Sequence, residues 1–316
     1  MTYASQDKIQ ASDYNSLVTQ VNALYGTGSS NKGLGQTVLS TISTGNTVDN
    51  LEWSNLRTVI NSIAAMQGTS IATIPAFTEG NIITYLSSVK NGIIAIDNNV
   101  TNAAAQGTSI PTATSFAGTW SKQLTYTHII TFGSGDKARY FFNAGGQIAI
   151  NFTKLGSASM DIIWQGLAAK IGTLVLSAGD LSGTKTSTVV GTNYTGFFQN
   201  SSSASKTLGR SVYDPSRGYY RLSTVDTTVF AQTAQTTTTS GYYGSSIEVK
   251  IKSNGPQGSN GDNGSTITIT TVWDEVPDGL LSSNGTTTTV TVRPPSTANI
   301  SNTWGTVSVS GSVTGS

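Results

Sequence analysis

The first third of the chain places apolar residues at steps of three and four, which is the spacing of an amphipathic helix. Three segments show this spacing, at residues 12–26, 49–68 and 79–100. Ser12 is a candidate N-cap, and Gly26 and Gly68 are candidate ends of the first two helices. The third segment has a heptad-like stripe made of Ile82, Leu86, Val89, Ile93, Ile96 and Val100. Gly92 interrupts it, which weakens a helix by about 1 kcal/mol relative to Ala.

The helical segments also show a decayed internal repeat. AAMQGTSI at 64–71 returns as AAAQGTSI at 103–110, an offset of 39 positions, and Tyr14-Asn-Ser-Leu and Trp53-Ser-Asn-Leu share that offset. Repeats of this kind are typical of small stacked modules. Two interpretations stay open together, namely a helical module that docks on a partner and an ordinary three-helix core.

After Pro111 the apolar residues alternate with polar ones, and Thr, Ser and Gly become frequent, which is typical of short antiparallel strands with tight turns. The predicted strands are 124–132, 137–143, 147–152, 172–177, 246–253, 265–276, 286–294 and 303–313. Residues 157–172 are predicted to form a helix, and 178–245 receive no assignment. The expected fold is α+β, with a helical region at 1–111 and a sandwich-like antiparallel β region at 112–316. A turn at 276–279 leaves open whether the β region forms one or two subdomains.

One stretch, ARYFFNAGGQIAINF at 138–152, combines three consecutive aromatic residues with two glycines. Gly145 and Gly146 can adopt positive φ in a turn, so the pattern predicts a β-hairpin. Alternation would then place Tyr140 and Phe142 on one face and Phe141 on the other. A phosphate-binding glycine loop is disfavoured, because such a loop joins a strand to a helix and here a strand follows.

The charge content is low and balanced, with charged residues at 10 % and a net charge of +1. An average domain contains about 25 % charged residues. We therefore expect neither nucleic acid nor an anionic membrane surface as a partner. The absence of cysteine excludes disulfides and thiolate sites. No leader and no membrane span is expected from the hydropathy pattern.

Few residues could support catalysis or metal binding. His128 is the sole histidine, so a dyad or multi-histidine metal site cannot form within one chain, although three copies on a three-fold axis could share a metal. Asp274 and Glu275 would point to opposite faces of a strand. Asp274 and Asp278 could share a cation if the chain turns at Pro277, but a solvated turn is favoured. We expect no catalytic residues, no metal and no cofactor, and therefore no enzymatic activity such as that of a depolymerase.

The N-terminal sequence carries a family resemblance. Residues 9–36, 44–63 and 64–71, together with 138–152, resemble virion structural proteins of tailed bacteriophages, with those of contractile-tailed phages, including cyanophages, coming closest. The resemblance covers residues 1–152 and continues more loosely to the C-terminus. It implies a place in the particle and no catalytic residues, and it leaves open collar, tail fibre, fibre adaptor and baseplate periphery.

The resemblance implies a non-enzymatic structural component, made in the host cytoplasm and assembled into the virion with other virion proteins. It favours a homo-oligomer, with a trimer preferred. The helical region would dock on the particle, and the β region would project. The candidate interface residues are Tyr14, Trp53, Ile82, Leu86, Val89, Ile93, Ile96, Tyr140, Phe141 and Phe142. The helical residues among them could equally belong to an intramolecular core.

The alternative is a receptor- or glycan-binding tail protein that recognises a host surface glycan. Exposed tyrosine rings stack on sugars, and amide side chains bind their hydroxyls. Candidates for such stacking lie in two polar, glycine-containing stretches, and they are Tyr213, Tyr219, Tyr220, Tyr242 and Tyr243.

Overall fold

A computed structural model of the chain describes residues 10–76, 86–103, 106–184, 208–214, 216–234, 245–257, 263–275 and 285–316. Its N-terminal part has the helices α1 (Ala11–Tyr25), α2 (Asn50–Gln67) and α3 (Leu86–Asn98). These confirm the three predicted helices. Ile82 and the predicted first turns of α3 lie outside the described residues.

The helix ends differ in part from the prediction. α1 begins at Ala11 with Gln10 as its N-cap, so Ser12 lies inside the first turn and its predicted capping role is wrong. α2 begins with a capping box, in which Asp49 accepts the N–H of Glu52 while the Glu52 carboxylate accepts the N–H of Asp49. It ends, as predicted, at Gly68, whose φ of 68° suits glycine.

The rest of the described chain is mainly antiparallel β structure in two sheets, as the predicted fold class requires. The first sheet has the order β1-β10-β3-β4-β5 and the second β11-β2-β9-β8-β7-β6. The strands are β1 (Ile110–Phe116), β2 (Gln123–Thr131), β3 (Gln147–Lys154), β4 (Thr173–Leu176), β5 (Leu181–Thr184), β6 (Leu208–Tyr213), β7 (Thr227–Ala234), β8 (Ser246–Ser253), β9 (Thr266–Asp274), β10 (Thr286–Arg293) and β11 (Ser308–Gly315).

Most of the predicted strands are confirmed, as is the predicted helix at 157–172, seen as α5 (Ser159–Ile171). Four of the strands in the described part of the chain were not predicted. β1 begins at Ile110, within the segment assigned to the helical repeat, and β5, β6 and β7 lie in the stretch that received no assignment. β11 begins five residues later than the predicted 303–313 strand.

The predicted hairpin at 137–152 is wrong in its first half, because Gly135–Asn143 forms helix α4. The Ser134 side chain accepts the N–H of Lys137 and caps this helix. Ala138, Phe141 and Phe142 are spaced by three and four, so a helix buries them together. In so short a run, helical and strand spacings overlap, and the cap decides between them. Gly145, at φ 93°, then turns the chain into β3.

The helical layer and the two sheets share one continuous apolar core. Gly92 contributes to the packing of α3 on α2, since a Cβ placed there would lie 3.3 Å from Ile60 Cγ2. Between the sheets, Tyr126 of β2 donates its hydroxyl to the Thr286 carbonyl of β10 at 2.9 Å. Within the described residues, every helix is too short or too polar to cross a membrane.

Candidate functional site

Helix α4 lies where the helical layer meets the sandwich, and polar side chains tie it to the N-terminal part. Asn143 donates to the Gly33 carbonyl at 2.9 Å, and Arg139 donates to the Thr27 carbonyl at 2.8 Å. Arg139 also pairs with Asp136 at 2.8 Å. Both Arg139 and Asn143 are buried. Arg139 and Asn143 therefore hold the 27–33 loop from helix α4, although the sequence pattern predicted a strand at these two positions.

The aromatic triplet of α4 packs inside the molecule. Phe142 stacks on Tyr219 with ring centroids 4.3 Å apart, and Phe141 lies 5.3 Å from Phe132. Tyr140 is also buried, and its ring occupies the space beside Gly35, whose φ of 67° suits glycine. The prediction that Tyr140, Phe141 and Phe142 offer an assembly interface is wrong, because the helix turns all three into the chain's own core.

The helical interface candidates are buried in the same way. Tyr14 meets Trp53 edge to face at 5.5 Å. The stripe on α3 packs on α1, α2 and the segment that follows α2. The buried candidates are Tyr14, Trp53, Leu86, Val89, Ile93 and Ile96. The sequence left two interpretations open for these residues, a docking module and an intramolecular core. The structure places them in the intramolecular core, so their assignment to an exposed docking surface is wrong.

The tyrosines predicted to stack on a glycan differ in their placement. Tyr219 is fully buried, so its ring cannot stack on a sugar and its assignment is wrong. Tyr220 is half-buried and donates its hydroxyl to Asn143 Oδ1. Tyr213 lies in β6 opposite Phe230 of β7. Tyr242 and Tyr243 lie outside the described residues.

His128 lies on the inward face of β2 and is fully buried. Its Nε2 is 3.0 Å from the hydroxyl of Thr114 on β1. Burial lowers the pKa of His128 to about 4, so the ring is neutral at pH 7. A ring enclosed between the sheets cannot meet two others on a symmetry axis, so the hypothesis of a shared three-fold metal is wrong. In the described residues, no group of three or more His, Cys, Asp or Glu side chains could hold a metal ion.

The carboxylates of Asp274, the last residue of β9, and Glu275, the residue after it, lie in different environments, as predicted. Asp274 is partly exposed and accepts a hydrogen bond from Gln123 at 3.0 Å, whereas Glu275 is fully buried. Asp278 lies outside the described residues. Asp274 and Glu275 therefore do not form a pair across a common substrate.

A buried ion pair was missed by the sequence analysis. Lys154, at the end of β3, lies 2.7 Å from Asp161 in the first turn of α5, and both side chains are fully buried. Lys154 also donates to the Leu155 carbonyl, and Asp161 accepts the N–H of Ala158. The available signal was a lysine at an inward position of an alternating strand. The pair fixes the start of α5 against β3.

A polar cleft of about 310 Å³ opens beside the turn that follows α4. Its described polar lining consists of neutral amides and hydroxyls, from Gln67, Thr101, Asn102, Gln106, Gln147 and Ser177. Such groups bind the hydroxyls of a neutral ligand. The lining residues described for this cleft do not include a side chain that titrates near pH 7.

Family models, curated protein sequences and solved structures were each compared with the chain, and no match was found in any of the three comparisons.

Proposed function

We propose that this chain is a non-enzymatic structural component of a bacteriophage virion, in a neck or collar, tail-fibre or baseplate-associated appendage or connector. The observation that supports this most is the use of polar and ionisable side chains inside the fold. His128, Arg139, and the pair Lys154 and Asp161 are buried between elements of the chain. They join sheets, helices and loops into one body, as a building block requires.

The proposal also rests on the resemblance of residues 9–71 and 138–152 to phage structural proteins. In this proposal the chain folds in the host cytoplasm and then joins other virion proteins. Because the helical stripes are internal, the contacts with those proteins must use other residues. Among the described residues of 1–111, four large apolar side chains are exposed, and they are Val38 at 54 %, Leu51 at 66 %, Ile94 at 56 % and Ile110 at 50 %.

Leu51→Glu tests the docking surface, with exposed Thr58→Glu on the same helix as a control of matched charge. We expect L51E to reduce the amount of chain in purified particles at least tenfold, while T58E leaves it near the wild-type level. Both variants should retain the wild-type circular dichroism spectrum, because both positions lie on the outer side of α2. Equal incorporation of L51E and wild type would remove Leu51 from the docking surface.

A second candidate function, recognition of a host surface glycan, is favoured by the neutral polar cleft. Its amides and hydroxyls match the hydrogen-bonding groups of a saccharide. A glycan array with the full chain tests it. Binding should fall about tenfold in Gln106→Leu, since one lost hydrogen bond costs about 1.4 kcal/mol, and should persist in Gln20→Leu on α1. Silence across host-derived glycans would count against this candidate.

A further inference from the structure

The sheet edges of this molecule differ in how they are protected. In the described part of the chain, β1 and β5 end one sheet, and β11 and β6 end the other. Natural edge strands avoid pairing with other chains through proline, charge, bulges or shortness. β1 contains Pro111, and β6 carries Arg210 and a register shift against β7.

β11 has none of these features. It pairs with β2 without a register shift over all eight residues, from Ser308 to Gly315. The sequence from 294 to 316 contains no charged residue, and β11 itself contains no proline. Its serines and glycines leave the backbone open. It is therefore a long, regular and uncharged edge, which is the kind that accepts another strand.

The direction of the backbone groups on β11 follows from its pairing with β2. The N–H of Ser316 donates to the Gln123 carbonyl at 3.0 Å, so even-numbered residues bond to β2. The N–H and C=O groups of the odd-numbered residues then point away from the sheet. These are Val309, Gly311, Val313 and Gly315. Within the described residues these groups pair with no further strand of the sheet, although β1 of the other sheet packs close to β11 at Gly311.

The outer face next to this edge is also uncharged. Across the strands, Ser310 lies beside Ile129 and Thr268, and Ser312 lies beside Thr127 and Thr270. On these strands charge begins at the end of β9, with Asp274, and continues on β8 with Glu248, Lys250 and Lys252. Two copies that meet at β11 would thus bring serine and threonine hydroxyls together. The nearest charged residues on the outer face of the sheet would lie two strands away from β11.

We propose that β11 pairs antiparallel with β11 of a second copy, about a two-fold axis at Gly311. The central residues are self-complementary in this register. Ser310 faces Ser312 of the second copy, and Val309 faces Val313 of the second copy. The two six-stranded sheets become one continuous sheet of twelve. Such a contact is isologous and closes at two. It does not depend on the virion proposal.

The test is the mass of the full chain in solution, measured by sedimentation equilibrium for wild type and two variants. Wild type should be a dimer. S310K/S312K puts lysines of the two copies opposite each other, and like-charge contact should weaken the dimer about a hundredfold or more. A113K/S115K puts the same charges at the same spacing on exposed positions of β1. This control should stay dimeric.

A second measurement keeps the proposal testable if the lysine variant is misfolded. The chain has no cysteine, so S310C/S312C introduces the only thiols. Directly opposed residues in an antiparallel pair have the separation that a disulfide needs. Mild oxidation should give a covalent dimer on a non-reducing gel, whereas A113C/S115C should not. The proposal is overturned by a monomeric or trimeric wild type, by a dimer that survives S310K/S312K, or by loss of the dimer in A113K/S115K.

Discussion

The hydroxyl of Thr114 lies 3.0 Å from Nε2 of His128, and this contact joins the edge of one sheet to the other sheet. The Thr114–His128 contact lies directly beside Gly311 of β11, which is opposite His128 of β2 in the sheet. A Cβ on Gly311 would lie 2.0 Å from Thr114 Oγ1. The absence of a side chain at 311 is therefore what lets β1 approach β2 at this corner of the sandwich.

Gly311→Val should destabilise the chain by about 1–3 kcal/mol, because the added side chain displaces Thr114 from His128. Ser310→Val on the neighbouring, exposed position should change the stability by less than about 0.5 kcal/mol. Urea unfolding of both variants measures the difference. Equal stability of G311V and wild type would show that β1 does not need this close approach.

His128 should make stability depend on pH. Its folded pKa of about 4 lies below its ordinary value of 6.5, so between these values the unfolded chain binds a proton that the folded chain does not. Stability from this group is complete above pH 6.5 and falls as the pH drops toward 4, by about 3 kcal/mol in total. Unfolding free energies across this range measure the fall.

His128→Gln is the control for this pH dependence, because the amide can still reach the Thr114 hydroxyl but does not titrate. Between pH 6.5 and 4, the unfolding free energy of H128Q should fall less than that of wild type, and the difference is the contribution of His128. A variant with the same pH dependence as wild type would show that other groups cause it.

Removing only one of the two charges in the buried Lys154–Asp161 ion pair should lower the stability of the fold. Asp161→Leu and Lys154→Met should each lower stability by about 3–5 kcal/mol, since each leaves a buried charge without its counterion. The double variant K154M/D161L should recover much of the loss, because no buried charge remains. A double-mutant cycle by urea unfolding gives the coupling, and additive losses would contradict the pairing.

The helical and β regions should unfold together. Gln36 donates to the Ser301 carbonyl at 2.8 Å and accepts the Ser301 N–H at 3.0 Å, so the N-terminal loop is bonded to the C-terminal one. We expect one cooperative transition for the full chain, and a fragment of 112–316 that binds a hydrophobic dye and lacks near-ultraviolet dichroism. A fragment with native dichroism would show that the β region folds alone.

The sequence predicted the helices and most strands because their apolar periods are long enough to be unambiguous. It failed at α4, where nine residues fit either period and the Ser134 cap decides. It also failed between β5 and β7, where polar strands gain their order from long-range pairing. Residues chosen for aromatic character, such as Trp53 and Phe142, proved to be core, since side-chain chemistry does not reveal which face is covered.

The unpredicted parts depend on contacts between distant residues. The Lys154–Asp161 pair brings the end of a strand to the start of the next helix, and the Thr114–His128 bond needs Gly311, far away in sequence. The edge of β11 becomes distinct only when the strand order is known. Apart from the lysine at an inward position of β3, local patterns carry none of this information, because it arises from which strands and helices become neighbours.

If the virion proposal holds, a phage encodes this chain, and quantitative mass spectrometry of the purified particles of that phage tests the proposal most directly. We expect the chain at a fixed ratio to the major structural proteins, retained through density-gradient purification and high-salt washing. Absence from the purified particles, with the chain abundant in the infected-cell lysate, would contradict a structural role in the virion.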